Sequence, residues 1–327
     1  MKALLSSVPG GPESLAIGER PDPVPGAGEV RLAVRACAIN YPDVLIIEDR
    51  YQFKPERPFS PGVEVSGVVE ALGPDVDGLT VGQRVIASVG WGGLAEKVNA
   101  EVGKCVPMPD DVPFDVGASL LVTYGTTYHA LVDKAAIAPG ETLFVLGASG
   151  GVGLAAIEIG RALGARVVAA VSTPEKAEIA RAAGASDVVI YPTAPDDPRA
   201  LTALFKSALP SGADVIYDAV GGGYAEPALR SIAWEGRYLV IGFAAGIPAP
   251  PFNLTLLKGC SIIGIFWGAW LERNAEQHQH NNQALLQMYR DGLIKPLISE
   301  RFPLERGGEA IRRLADRKAV GKLIVIP

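Results

Sequence analysis

The sequence predicts an α/β protein of two domains: a mostly β, barrel-like domain and a doubly wound parallel sheet. Three observations carry that expectation. Up to about Val122, short apolar strands are separated by turns rich in Pro and Gly, such as Pro21 to Pro25. From Leu143 to Lys176, an apolar strand, a glycine-rich turn, a small-residue helix and a second strand follow one another as a β-α-β unit. Beyond it, strands alternate with helical segments, the pattern of a parallel sheet covered on both faces.

In chain order, strands are expected at Lys2 to Leu5, Glu29 to Ala38, Gly62 to Leu72, Arg84 to Ser88 and Leu94 to Val98. Asp115 to Leu131 reads as helix because Ala, Leu and Val recur at core-facing spacing, and Ala138-Pro139-Gly140-Glu141 then turns the chain into the β-α-β unit. Later strands fall at Val188 to Tyr191, Asp214 to Asp218, Tyr238 to Ile241 and Ser261 to Ile265. A polar helix from Ala275 to Asp291, a second from Ala310 to Ala315 and a strand from Lys322 to Ile326 have no place in a six-stranded sheet. They are expected to return to the first domain, making it discontinuous: residues 1–122 and 266–327, with 123–265 forming the parallel sheet.

The turn after Leu146 reads Ala148-x-Gly150-x-x-Gly153, a dinucleotide fingerprint with alanine in the first glycine's place. Gly150 would let backbone approach a pyrophosphate, and Gly153 would let the helix sit close on the strand. The helix start offers free N–H groups to phosphate, so Ser149, Gly150, Gly151, Val152 and Gly153 are the phosphate-facing candidates. An NAD ribose asks for an acidic residue at the end of the second strand; here Ser172 stands there, with Lys176 one helical turn later. A hydroxyl and an ammonium suit a 2′-phosphate, and the expected coenzyme is NADPH, although Glu175 weakens the positive field.

Composition limits the alternatives. The chain has 327 residues, 48% of them apolar, enough for two domains and a large core. No apolar run approaches the ~20 residues that span a bilayer, and Met1-Lys2-Ala3 opens without a signal-peptide pattern, so a cytoplasmic protein with no membrane partner is expected. Net charge of −6 without blocks of like charge argues against nucleic acid. Cys37, Cys105 and Cys260 lie too far apart for a disulfide framework or a metal set, and His129, His278 and His280 form no triad or metal pattern.

Several motifs in order resemble the zinc-independent medium-chain dehydrogenases/reductases, and within them the NADPH:quinone oxidoreductase branch. They are Asn40-Tyr41-Pro42-Asp43, Pro61-Gly62-Val63-Glu64-Val65-Ser66-Gly67, the helix start at Thr123 to Leu131, and Gly321-Lys322. The resemblance spans essentially the whole chain. It implies a GroES-like catalytic domain beside a Rossmann domain, and a homodimer. Zinc-using members carry Cys where Asn40 stands and His where Val63 stands, and four close cysteines where this chain has Cys105. No metal is therefore expected.

The resemblance also suggests roles. Asn40 is expected near the nicotinamide ribose or the substrate carbonyl, or else stabilising the turn before Pro42. Tyr51 matches a tyrosine beside the family's substrate cleft, able to hydrogen-bond a carbonyl or deliver a proton, or else a loop aromatic packed under Pro55 and Pro58. A second cleft tyrosine of some quinone reductases appears as Leu45. Thr126 resembles the residue packed on the nicotinamide, and Tyr191 an aromatic lining the adenosine phosphate site. Gly242 and Phe243 follow a strand end, where ligands of such sheets collect. Phe266 opens the segment to Trp270, either an apolar wall for a flat acceptor or a dimer contact at a sheet edge. Arg317 is placed at a cofactor or substrate phosphate, or else in solvent.

The function these readings imply is an NADPH-dependent reductase passing hydride to a quinone or other α,β-unsaturated carbonyl compound. Two alternatives stay open: an enoyl-thioester reductase with Tyr51 as proton donor, and a non-catalytic NADPH-binding protein.

Overall fold

The computed structural model describes residues 1–327 and divides into two units, Met1–Thr123 with Pro296–Pro327, and Tyr124–Lys295. In the first, β1 (Lys2–Ser6) and β2 (Leu15–Glu19) form an antiparallel ribbon. The long strand β3 (Glu29–Ala38) buries Val30, Leu32 and Val34 on one face, and after a bulge between Val34 and Ala36 that face passes to Cys37 while Ala36 and Ala38 join a second cluster. Next come α1 (Tyr41–Ile47), β4 (Glu64–Leu72), β5 (Arg84–Ser88), β6 (Lys97–Glu101), β7 (Cys105–Pro107) and α2 (Phe114–Gly117). Helix α1 has Pro42 in its first turn, where a missing N–H is harmless, and turns Val44, Ile46 and Ile47 into the core.

Helix α3 (Leu121–Tyr128) runs into the second unit and continues as a π-helical turn, His129–Lys134. The sheet strands follow as β8 (Thr142–Leu146), β9 (Arg166–Val171), β10 (Asp187–Ile190), β11 (Ala213–Asp218), β12 (Ile232–Val240) and β13 (Ser261–Gly264). Between and after them lie α4 (Gly151–Ala162), α5 (Pro174–Ala182), α6 (Pro198–Ala208), α7 (Ala225–Leu229), α8 (Asn253–Lys258), α9 (Trp267–Leu271) and α10 (Ala275–Arg290). All neighbours are parallel, in the order β10-β9-β8-β11-β12-β13. Leu143 to Leu146 and Val167 to Val171 are buried without alternation, as strands covered on both faces must be. Chain order reverses between β8 and β11, and ligands of such sheets bind beyond the strand C-termini at that point.

The tail returns to the first unit as β14 (Ile298–Pro303), α11 (Gly307–Ala315) and β15 (Lys322–Ile326). β15 pairs parallel with β14 and antiparallel with β3, giving the order β14-β15-β3-β4-β5-β7, with β6 also on β3.

Besides shifted strand ends, such as β12 starting at Ile232 rather than Tyr238, the structure departs from the sequence expectations in three places. The helix expected over 115–131 is divided, because Ser119 and Leu120 donate to carbonyls three residues back and tighten the chain out of α-helix. The strand expected at 94–98 begins at Lys97. Leu94 accepts from Leu4 and Glu96 donates to Lys2, so this stretch first serves β1. Residues 266–295 belong to the second unit rather than the first. The His129 ring stacks on Trp270 at 4.0 Å, Asn281 donates to Asp133 at 2.8 Å, and Arg161 donates to the Leu293 carbonyl at 3.0 Å.

His278 of α10 lies edge-on to Trp267 at 5.4 Å, and burial lowers its imidazole from 6.5 to about 4. The unfolded chain therefore takes up the proton first, so stability is full above about pH 6.5 and falls as pH drops towards 4, by on the order of 1–3 kcal/mol. Urea unfolding at pH 7.5 and 4.5 tests this. The acid loss should shrink in His278→Gln, and an equal loss in parent and variant would refute it.

Candidate active site

β8 ends at Leu146, and Gly147 turns the chain with φ +73°, a conformation L side chains resist. Ala148 donates to the Ala170 carbonyl at 3.1 Å, fixing the turn against β9. Gly150 caps α4 in extended conformation. A Cβ on Gly153 would stand 2.3 Å from the Gly147 oxygen and 2.7 Å from the Ala148 Cα, so only glycine lets α4 lie this close. A Cβ on Gly150 would meet nothing nearer than the Gly147 oxygen at 3.5 Å, an ordinary contact. The fold itself does not demand glycine at 150; a phosphate at the first N–H groups of α4 would.

The neighbouring strand ends complete this edge. Ser172 follows β9, Thr173 caps α5 by accepting the Lys176 N–H at 3.3 Å, and Lys176 Nζ reaches back to Ser172 Oγ at 3.3 Å. A hydroxyl and an ammonium are thus brought together at one strand terminus. Asp218, at the end of β11, was not foreseen from the sequence. Its Oδ1 accepts from the N–H groups of Val220 and Gly221 at 2.8 and 2.9 Å, and its Oδ2 from the Tyr238 hydroxyl at 2.5 Å. Burial raises its carboxyl. The turn it holds lies beside Gly147, whose Cβ would stand 2.9 Å from Val220 Cγ2. The signal available in the sequence was an acid at a strand end just before Gly221-Gly222-Gly223.

Other candidates sort by position. Gly242 donates to the Asp218 carbonyl at 3.3 Å, and the Phe243 ring after it is exposed at the same sheet edge. Thr126 is half-buried on α3; its neighbour Thr127 shares a 2.8 Å hydrogen bond with the Tyr217 hydroxyl and donates to the Val152 carbonyl at 3.4 Å, tying α3 to the first turn of α4. Phe266 is exposed before α9, while Trp267 packs 3.0 Å from where a Gly125 Cβ would sit. Tyr191 turns inward: its ring meets Tyr224 at 4.9 Å and Phe205 at 6.4 Å, and it is 7% exposed. Arg317 is exposed after α11 with φ +57°.

The first unit holds Asn40, Tyr51 and a buried charged set. Asn40 caps α1, and its Nδ2 donates to the Ala38 carbonyl and to Glu64 Oε2, both at 3.1 Å. Lys322 Nζ lies 2.7 Å from Asn40 Oδ1 and 3.5 Å from Glu64 Oε2. Glu64 Oε1 accepts the Val122 N–H at 2.9 Å, and Asp43 accepts the N–H groups of Asn40 and Gly62, each at 2.8 Å. Burial raises Glu64 and lowers Lys322, each opposed by the other's charge, and burial lifts Asp43 to about 6. Tyr51 follows α1, half-buried with its ring edge-on to Phe53 at 5.9 Å; burial first and the Asp43 charge second hold its hydroxyl protonated.

This donor set does not fit zinc. The positions of the family's Cys and His ligands carry an amide and an isopropyl group, and the nearest carboxylate, Glu64, is engaged by an ammonium rather than aligned with a thiolate or imidazole. The mouth at Gly147–Gly153, with Ser172 and Lys176, does fit a phosphorylated dinucleotide.

A doubly wound sheet with such a mouth, joined to a β unit bearing polar side chains on a buried frame, defines a two-domain dinucleotide-binding oxidoreductase. Comparison with known proteins narrows the class. An alcohol dehydrogenase GroES-like domain matches residues 26–110, and a zinc-binding dehydrogenase domain matches 151–284. Quinone oxidoreductase-like protein 2 of Bos taurus is 38% identical over 91% of this chain and 84% of its own length. A mycobacterial protein solved with NADPH superposes with TM-score 0.93 at 30% identity, covering all of both chains. Escherichia coli quinone oxidoreductase, also solved with NADPH, gives TM-score 0.91 at 26% identity with the same coverage. The chain belongs to the medium-chain dehydrogenase/reductase superfamily, among its quinone oxidoreductase-like members.

The two glycines predict a contrast. Gly150→Ala should leave the melting temperature within about 2 °C while weakening dinucleotide binding about tenfold or more; Gly153→Ala should lower both. Calorimetry and fluorescence titration with a reduced dinucleotide check this. Unchanged affinity in Gly150→Ala would refute the phosphate placement.

Proposed function

We propose that the chain is an NADPH-dependent reductase that passes hydride to a quinone or another α,β-unsaturated carbonyl acceptor without zinc. The observation that carries this reading is the glycine mouth at Gly147–Gly153 set beside Lys176 Nζ and Ser172 Oγ, 3.3 Å apart. The NADPH bound by the mycobacterial and E. coli proteins supports it. In this reading Ser149, Gly150, Gly151, Val152 and Gly153 hold the pyrophosphate, and Ser172 and Lys176 the 2′-phosphate. Thr126, Gly242, Phe243 and Phe266 serve the nicotinamide half, Tyr191 the adenosine side and Arg317 a phosphate. When bound, NADPH supplies the hydride. Tyr51, kept protonated by burial and by Asp43, offers its O–H to the acceptor's carbonyl oxygen, and Asn40 engages the coenzyme.

The decisive assay follows NADPH oxidation across quinones, enones, enals and enoyl thioesters. Turnover with quinones or enones is expected, and Ser172→Asp with Lys176→Ala should lower kcat/KM for NADPH about tenfold or more, with little change for NADH. Tyr51→Phe that abolishes enoyl reduction and spares quinones would shift the assignment to an enoyl reductase. NADPH binding with no turnover on any of these acceptors would leave only a binding protein.

The proposal includes a cytoplasmic homodimer. No helix is long and apolar enough to cross a membrane, and all three cysteines are free. β13 is one edge of the sheet, and in the segment leading into it Phe252, Leu256 and Leu257 stand exposed, Leu256 at 81%. A strand paired on one side only, preceded by exposed apolar side chains, is the surface a second copy would cover. Light scattering should give a dimer, and Leu256→Glu with Leu257→Glu a monomer; a parent that stays monomeric would refute it.

A further inference from the structure

In the first unit, one side chain joins the two ends of the loop that carries Tyr51. From Glu48 to Pro58 the chain forms neither helix nor strand. Its first stem leaves α1 at Ile47 and passes Asp49 in a left-handed turn, φ +57°. Its second stem ends at Phe59, which exchanges backbone hydrogen bonds with Ser6 of β1 at 2.8 and 3.3 Å. Arg57, beside that second stem, reaches across to the first: Nη1 donates to Asp49 Oδ1 at 2.7 Å and Nη2 to the Ile47 carbonyl at 2.9 Å. The same guanidinium lies 5.2 Å from the centre of the Phe59 ring.

Two features set this contact apart from an ordinary surface ion pair, which contributes little. The Arg57 side chain is only 15% exposed, and its planar fork spans a carboxylate and a carbonyl that a single ammonium could not meet together. Second, little else draws the stems together. The Arg50 N–H donates to the Leu45 carbonyl at 2.9 Å within the first stem, and Tyr51 to Glu56 add no hydrogen bond across the loop. Gln52, Phe53, Lys54 and Glu56 stand exposed, while the Tyr51 ring packs against the core of the unit. Holding such a loop closed costs chain entropy, and most of the residues so ordered face solvent. What closure does fix is the place of Tyr51.

We propose that Arg57 is a positioning residue for the reductase reaction: by tying the two stems it holds the loop closed and sets where the Tyr51 hydroxyl is presented. The inference rests on the reading that Tyr51 serves the acceptor.

Two readouts test it, one of them independent of turnover. Lys54 and Arg57 each precede a proline, so trypsin can cut this loop only after Arg50, and cleavage there needs the chain on both sides of the bond to spread. Arg57→Ala should be cut at that bond about tenfold faster than the parent, and Arg57→Lys, which can meet one acceptor but not both, at a rate between the two. With a quinone or enone acceptor, Arg57→Ala should lower kcat about tenfold while NADPH affinity stays within about twofold. In a Tyr51→Phe background the same change should lower kcat no further, because the group it positions is gone. Losses that multiply would overturn the proposal, since a merely structural residue acts independently of Tyr51. So would a trypsin rate in Arg57→Ala equal to that of the parent. A parent that reduces none of the acceptors, or a Tyr51→Phe variant of full activity, would sink the role given to Tyr51 and with it the purpose of the clamp, while the trypsin rates would still decide whether Arg57 closes the loop.

Discussion

Helix α4 can lie against the turn after β8 only because residue 153 carries no side chain. With a methyl group there the helix would have to move off a carbonyl 2.3 Å away, and much of the second unit is fastened to that helix. Glu158, further along the helix, accepts the Tyr124 hydroxyl at 2.8 Å and the Lys295 N–H at 2.9 Å, so one buried carboxylate on α4 holds both α3 and the end of the unit. Gly147, at the start of the same turn, is crowded from the other side by Val220, which Asp218 fixes. The spacing of this turn is therefore set by backbone on one side and the Val220 side chain on the other, before any ligand is considered.

The two units employ charge in opposite ways. Lys176 is half-buried at a strand end, one turn from a hydroxyl, where an ammonium keeps most of its hydration and remains able to meet a ligand. Lys322 is enclosed, and its charge is spent on neighbours within the fold. The first ammonium stays open to solvent, whereas the second is enclosed.

That difference also explains what the sequence disclosed. The local arrangement of Ser149 to Gly153, and of Ser172 with Lys176, was legible because each group lies within one turn or one helical step of the next, so covalent spacing alone brings them together. Asn40 was recognised as a position but not for its bonding, since two of its partners lie 24 and 282 residues away and meet it only through strand register. Asp218 escaped notice because its partner Tyr238 stands on the next strand. Tyr191 was placed on the right strand end, but the direction of its ring depends on Tyr224 and Phe205, which local pattern does not report. The boundary at 266 failed for the same reason: a polar helix says little about its destination until the side chains that receive it, His129 and Asp133, are known.

The placement of β15 between β14 and β3 has a consequence for biosynthesis. Glu64 leaves the ribosome 258 residues ahead of Lys322, on the order of tens of seconds at ordinary translation rates. Throughout that interval the nascent N-terminal sheet lacks an interior strand and its carboxylate has no counter-ion, while the parallel sheet, contiguous in the chain, can already close. Synthesis thus completes the strand set of the middle segment before that of the earliest-made one.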